Sequence, residues 1–531
     1  MPTSVSALLT AAALESPSSL AVTETAGRSV TWAQLEDEVD RVSVGYGLHG
    51  LVAGNRVMIV VGNRLEFITT YLGALRAQLV AVPVNPRSTA VELARVLVDS
   101  GSRMVVTDPD SVTTVREAVR LVERAKAGEL DYDPEALAGL GTPRLVVIGS
   151  TLLPEERGYD HLSSSHGRAL PPLQDGEALA ALLYTSGTSG RPRAAMLSHR
   201  ALVANIEQVA AVDPPMITAD DVVLGVLPLF HVYGLNAVLG GLLRQRARLV
   251  LVDGFDPGGT LDIIEDEAVS VVPVAPPVLA YWLPLEDLAE RLGPVRLMLS
   301  GSAALPADVL EEFVARTGIP VHQGYGLTEA SPVVTSTLCS TDPDAASVGA
   351  ALPGIEVRLV DESGHTPAAD DPGDIQIRGD NLFSGYWPDG RDGPDDEGWW
   401  STGDVGLLDA DGDLFLVDRR KEIVIVSGFN VYPVEVEDVI GEVPGVELVA
   451  VIGVPDDKTG EAVVAYVVPA AEADADRLAE SVSQACAEQL AGFKRPSQVH
   501  VVDELPLTVT GKVQKGRLRA VERRRALGLL E

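Results

Sequence analysis

Short apolar runs, each followed by a stretch of helical period, recur through the first hundred residues and fix what this chain can fold into. RVMIVV (56–61), LVAVPVN (79–85) and RMVVTD (103–108) are too short and too β-branched for helices, and they lack the polar alternation of a half-buried strand. Between them Leu65, Ile68, Leu72 and Leu75 recur at helical spacing, and a second helix is predicted over residues 90–100. Strands buried on both faces and joined by helices form parallel sheets, because a parallel crossover needs about a dozen residues. The expectation is an α/β, doubly wound architecture.

The alternation resumes after Leu179: a strand enters TSGTSG, a helix is predicted from Arg200, and DVVLGVLPL (221–229) reads as the next strand. After about Gly349 the character changes. EVRLV, GDIQIRG and the pair GLLD-ADG-DLFLVD predict short antiparallel strands, the last pair turning at Asp411 and Gly412. Beyond Asp418 a smaller α+β segment follows, with helices over 434–443 and near 478–490. Its strands are LVAVIGVP, AVVAYVVP and SQVHVVDELP. A domain boundary is placed at Arg419, giving domains 1–418 and 419–531, with 469–476 as a further linker-like stretch.

Composition narrows the function. At 531 residues, 46% of them apolar, the chain can fill more than one core. A net charge of −35 opposes nucleic-acid binding, which needs clustered cations against phosphate. The only cysteines, Cys339 and Cys486, cannot make a disulfide framework or metal cluster. Glu15 interrupts the first apolar stretch, no positive n-region precedes it, and no run of about 20 apolar residues is present. A cytoplasmic protein without integral membrane segments is expected; peripheral membrane contact and a homodimer stay open.

The most informative string is YTSGTSGRPRAAMLSHR (184–200). Hydroxyls, glycines and a basic residue between strand and helix suit phosphate, since glycines let backbone N–H groups approach it. GYGLTEA (324–330), GWWSTGDVGLLDADG (398–412), DRRKEIVIVSGFNVYP (418–433) and PLTVTGKVQKGRLR (506–519) follow in order. Together these strings resemble the adenylate-forming superfamily of acyl-CoA synthetases, luciferases and peptide-synthetase adenylation domains. The resemblance is nearest to bacterial medium- and long-chain fatty acyl-CoA synthetases.

That resemblance implies a large N-terminal domain of αβαβα layers with a small β-barrel-like subdomain, then a small mobile C-terminal domain. It implies ATP, Mg²⁺ and coenzyme A as cofactors and a small carboxylic acid as substrate. Thr185, Ser186, Gly187, Thr188, Ser189, Gly190 and Arg193 would form the phosphate loop. Thr188 and Glu329 would hold the metal, whose hard charge calls for oxygen ligands. Gly301, Ser302, Ala303, Gly324, Tyr325, Gly326 and Thr328 would surround adenine; Asp404 and Arg419 would hold the ribose. Lys421 would be the hinge, Gly428 would face the pantetheine, and Lys512 would neutralise charge as carboxylate attacks the α-phosphate. His231 in LPLFHVYGL would stand near the reacting carboxylate. Glu329, Thr188, His231 and Lys512 are thus the catalytic candidates.

The sequence departs from the family pattern at Arg193, usually Lys, at Ala194, usually Gly, and at Ser189, usually Thr. Arg keeps the charge with a different hydrogen-bond geometry, and Ala adds a Cβ where backbone is expected to approach. Peptide-synthetase domains typically carry Asp where His231 stands, which disfavours an amino-acid substrate. The expected acid is uncharged and of medium or greater length, because the residues expected to border its pocket, Val232, Leu235, Ala275, Pro276, Gly324 and Val333, are apolar or small, with Gly324 expected on the path of the acyl chain. Alternatives stay open: an acyl-AMP ligase that loads a carrier protein, a malonyl- or aryl-CoA synthetase, or a non-catalytic nucleotide- or acyl-binding homologue.

Overall fold

The computed structural model describes residues 2–25, 27–130, 137–167, 170–171, 173–186, 192–302, 305, 307–361, 364–367, 373–419, 424–470, 473, 475–506, 513 and 515–526. The chain divides into two compact units. One comprises 1–86, 93–184 and 194–418; the other comprises 87–92, 185–193 and 419–531.

The larger unit is built on two seven-stranded sheets. In the first, Arg144–Val147, Met104–Thr107, Arg56–Val60, Val80–Pro83 and Leu179–Ser186 lie side by side and run parallel. In the second the order is Val321–Gln323, Leu297–Ser300, Val271–Val274, Val222–Gly225, Arg248–Leu251, Leu20–Glu24 and Ser29–Thr31. Only the last pair there is antiparallel. The residues of the second sheet's central strands divide by face. Val223, Leu249, Leu251 and Val271 join a core shared with the first sheet's Val57, Ile59 and Val106. Leu224, Val250, Val272 and Val274 join a separate core under the helices Pro257–Asp266 and Pro276–Trp282. Burial on both faces is why these strands carry no polar alternation.

Helices start where side chains can accept the orphan N–H groups of the first turn. Thr31 and Gln34 form a reciprocal capping box for Trp32–Leu48, Ser198 caps His199–Ala210, and Asp256 caps Pro257–Asp266. A four-stranded antiparallel sheet follows, Glu356–Val360, Gly373–Arg378, Trp399–Leu408 and Leu414–Arg419. The smaller unit holds a five-stranded sheet in which Val446–Asp456 and Gly460–Pro469 form a long antiparallel pair, with Gln498–Val501 added in parallel. Helices Pro433–Gly441 and Ala475–Gln489 contribute to its core.

One sequence expectation needs correction. Residues 221–229 were expected to form a single strand, yet the strand stops at Gly225. Pro228 has no N–H to give a ladder, and the side chain of Asn63 takes over the backbone pairing. Its Nδ2 donates to the carbonyls of Gly225 (3.2 Å), Leu227 (2.9 Å) and Val252 (3.2 Å), and its Oδ1 accepts the Leu229 N–H at 2.9 Å. Asn63 follows the central strand of the first sheet, while its partners leave the second, so one buried amide ties both sheets at their strand ends. Asn63→Ala should therefore lower the stability of the larger unit by roughly 2–4 kcal/mol, since it strands several buried backbone groups. Asn63→Asp should do worse, because it points a carboxylate at carbonyl oxygens. Urea titration of the three proteins checks the order; an Asp variant as stable as wild type would contradict it.

Candidate active site

Strand Leu297–Ser300 ends in Gly301 and Ser302, and strand Val321–Gln323 ends in the GYGLTEA segment, so two candidate adenine segments leave neighbouring strand ends. Open parallel sheets place their sites at the carboxyl ends of strands. Gly301 has no room for a side chain: a Cβ there would lie 2.9 Å from Cε1 of Tyr233. Ser302 holds φ +75°, unusual for a residue with a Cβ. The Oγ of Ser300, buried beside them, has no hydrogen-bond partner among the described residues.

Gly324 and Gly326 bracket Tyr325 for a steric reason. A Cβ on Gly324 would meet the Thr335 carbonyl oxygen at 2.7 Å, and one on Gly326 the Pro332 oxygen at 2.4 Å. The sequence reading put Gly324 on the path of the acyl chain. Its missing side chain instead lets two backbone segments press together, so a bulky residue there would displace residues 335–336 before it shortened any pocket. The Tyr325 backbone is pinned on both sides. Its N–H donates to Thr335 Oγ1 at 3.2 Å, and its carbonyl accepts from Val334 (2.9 Å) and Thr335 (3.1 Å).

Tyr325 reaches the Trp399–Leu408 strand, where its hydroxyl donates to Asp404 Oδ2 at 2.6 Å. The expected adenine neighbour and the expected ribose ligand are therefore one hydrogen-bonded pair. Thr328 and Glu329 lie in the short turn Thr328–Ala330, which ends at Ser331 with φ +68°. Glu329 is buried, 5% exposed, and its Oε1 accepts the hydroxyl of Tyr386 at 2.7 Å. The Glu329 carbonyl accepts the Phe383 N–H at 2.9 Å.

His231 precedes an unusually wide helix of π type, Tyr233–Gly240, a geometry that recurs at functional sites. Its Nδ1 faces the Tyr233 N–H at 3.4 Å, so it is an acceptor and the neutral ring carries its proton on Nε2. Burial pushes the imidazolium down to about 4, leaving His231 uncharged at neutral pH. Within the wide helix, Asn236 donates to the carbonyls of Leu202 (3.0 Å) and Ser331 (2.6 Å), tying it to the Thr328–Ala330 turn. Val232, Leu235 and Pro276 are buried; Ala275 and Val333 are half-buried.

Of the phosphate-loop candidates, Thr185 and Arg193 face each other, the Thr185 hydroxyl lying 3.5 Å from the Arg193 carbonyl. Ala194 is 1% exposed, and its carbonyl accepts the Trp387 N–H at 2.9 Å. The extra methyl at this departure from the family pattern is packed inside. Gly428, with Ser427, makes a two-residue hairpin turn in which both have positive φ, +82° and +51°. Gly187, Thr188, Ser189, Gly190, Ala303, Lys421 and Lys512 lie outside the described residues, as do the side chains of Ser186 and Arg419.

The arrangement fits a nucleotide carrying its own magnesium. Glu329 offers one hard, buried carboxylate, and among the described residues no group of three His, Cys, Asp or Glu side chains could hold a metal alone. Magnesium keeps few protein ligands and takes the rest from phosphates and water. The model of the AMP-binding enzyme family matches residues 9–387, and the model of its C-terminal domain matches 435–512. The chain belongs to the AMP-binding enzymes.

This AMP-binding enzyme is 33% identical over 512 residues to a long-chain-fatty-acid–CoA ligase of Escherichia coli O157:H7, covering 93% of this chain and 90% of the relative. It is 31% identical over 512 residues to 4-coumarate–CoA ligase 3 of Oryza sativa subsp. japonica, covering 93% and 87%. Among solved structures, ATP-bound MatB from Rhodopseudomonas palustris matches with a TM-score of 0.69 at 33% identity, over 98% of this chain and 99% of that one. The CoA ligases among these relatives are AMP-forming acid–thiol ligases that use ATP, Mg²⁺ and coenzyme A, and the resemblance read from the motifs is thus borne out.

Sequence reasoning missed Asn63, Tyr233 and Tyr386: Tyr233 stands in LPLFHVYGL but only His231 was singled out there, and the other two stand in no string whose spacing carries chemistry. The state of His231 yields a prediction. A histidine held near 4 in the fold and near 6.5 when unfolded favours the folded state fully only above about pH 6.5. That advantage is lost as pH falls toward 4, up to roughly 3 kcal/mol for a shift of this size. His199, also pushed by burial to about 4, adds to the same slope. Replacing His231 by Gln should flatten the stability profile between pH 6.5 and 4 while leaving it unchanged in shape above pH 7. Identical slopes for the two proteins would mean that His231 titrates normally.

Proposed function

We propose that this protein activates an uncharged carboxylic acid of medium or long chain as its acyl-adenylate and transfers the acyl group to coenzyme A. The observation that carries the reading is the set of hydrogen-bonded pairs Tyr325–Asp404 and Tyr386–Glu329, which offers adenine, ribose and metal-bound phosphates one group each. Asp404 accepts the ribose hydroxyls, with Arg419 as a second contact, and Tyr325 lies against the base. Magnesium, held by Glu329 and Thr188, would neutralise phosphate charge. Lys512 supplies the positive charge that in-line attack of one anion on another requires; removing such a donor typically costs on the order of a hundred- to a thousandfold. Lys421 serves as the hinge between half-reactions and Gly428 as the pantetheine contact.

The neutrality of His231 and the burial of Val232, Leu235 and Pro276 support an uncharged acyl chain. A second carboxylate would be buried there without a cation. Each added methylene contributes about 0.8 kcal/mol until the pocket ends. An aromatic acid is the second reading, favoured by the 31% identity to a 4-coumarate ligase. The reaction is placed in the cytoplasm, where ATP and coenzyme A are dissolved; among the described residues no helix is long and apolar enough to cross a membrane.

The test is a panel of acids from acetate to oleate, with malonate, benzoate and 4-coumarate, scored by mass spectrometry of the acyl-CoA formed. Specificity should rise with aliphatic length past octanoate, by up to roughly fourfold per methylene at 0.8 kcal/mol each. Malonate as best substrate would overturn the reading, and 4-coumarate as best would select the aromatic alternative.

A further inference from the structure

Glu329 would be held at one angle only if something besides its own turn fixed the carboxylate, and the structure shows what does. The hydroxyl of Tyr386 donates to Oε1 at 2.7 Å, and both side chains are buried, at 7% and 5% exposure. Tyr386 is itself over-determined. Its N–H donates to the Arg391 carbonyl at 3.0 Å, and its carbonyl accepts from Gly390 at 2.8 Å. Its ring packs edge-on against Phe383 with centroids 4.9 Å apart, and Phe383 packs edge-on against Trp400 at 5.1 Å.

The residues on either side are laced to the strand that leaves the Ser/Gly loop. Trp387 N–H donates to Ala194 (2.9 Å), Met196 N–H to Gly385 (3.0 Å), and Ser384 N–H to Met196 (2.9 Å). Gly385 has φ +85°, and a Cβ there would lie 2.0 Å from the Gly390 carbonyl oxygen, so the turn that presents Tyr386 admits no side chain. The phenol is thus a rigid donor on backbone hydrogen-bonded to Ala194 and Met196, aimed at the carboxylate of the GYGLTEA segment.

We propose that Tyr386 is a positioning residue: by holding Oε1 it sets the plane of the Glu329 carboxylate, and with it the direction of Oε2, toward metal-bound phosphate. The inference rests on the reading of Glu329 as the metal ligand. A hydrogen bond to a buried carboxylate is among the stronger kinds, and its loss lets the group rotate or accept water instead. The effect should therefore fall on the metal–phosphate end of the nucleotide and spare the nucleoside end.

Calorimetric titration separates these ends. Tyr386→Phe keeps the ring packing and removes only the donor. It should weaken binding of MgATP by roughly tenfold or more and raise the magnesium concentration needed for half-saturation. Affinity for AMP without metal should stay within about twofold of wild type. Equal weakening for both ligands, or none for either, overturns the proposal, since a purely structural role moves both together. Glu329→Gln is the control. If it leaves MgATP binding intact, the reading of Glu329 fails. If Glu329→Gln is impaired while Tyr386→Phe binds as wild type, only the role of Tyr386 fails. In the double variant Tyr386→Phe should cost nothing beyond Glu329→Gln alone.

Discussion

Backbone that leaves a sheet inside a protein must still find partners for its N–H and C=O groups, and that demand organises the larger unit. Four buried asparagines meet it. Asn63 satisfies the chain leaving Gly225; Asn205 exchanges two bonds with Val333, at 2.7 and 3.0 Å. Asn236 accounts for the carbonyls of Leu202 and Ser331, and Asn381 for that of Ala330 at 2.7 Å. Three of the four act on residues 330–333, which end and follow the turn bearing Glu329. An amide is suited to this because it donates and accepts from one planar group without carrying charge into the core.

Once that turn is fixed, the chemistry has little freedom. Gly324 and Gly326 allow close backbone approach, Tyr325 is held at its N–H and carbonyl, and its hydroxyl fixes Asp404. Tyr386 reaches Glu329 from a different segment. Preorganised groups of this kind need not rearrange when charge develops, which is the largest resource available to a reaction that asks the protein for no nucleophile.

Much of the fold was legible in the sequence because strands buried on both faces leave apolar runs, and helices leave a 3.6-residue period. Most predicted strands and helices of both units stand within a few residues of their expected bounds. The failure at 221–229 has a physical cause: an apolar run looks the same whether it pairs in a ladder or is held by a side chain from elsewhere. Nothing in the neighbourhood of Asn63 announces contacts with residues more than 160 positions away. Gly324 is ambiguous in the sequence for a related reason, since a missing side chain can make room for ligand or for backbone. Tyr386 was invisible because its role depends on where its turn is docked. Glu329, Tyr325 and Asp404 were named from motif resemblance, whereas the hydrogen bonds that join Tyr325 to Asp404 and Tyr386 to Glu329 come from the structure alone.

The central claim is that this site joins an acid to the nucleotide before any thiol takes part. Exchange of labelled pyrophosphate into ATP, measured with octanoate and magnesium but without coenzyme A, tests it most directly. Acid-dependent exchange is the predicted result. Tight binding of ATP with no exchange for any acid from acetate to oleate would contradict the account and mark the protein as a nucleotide binder.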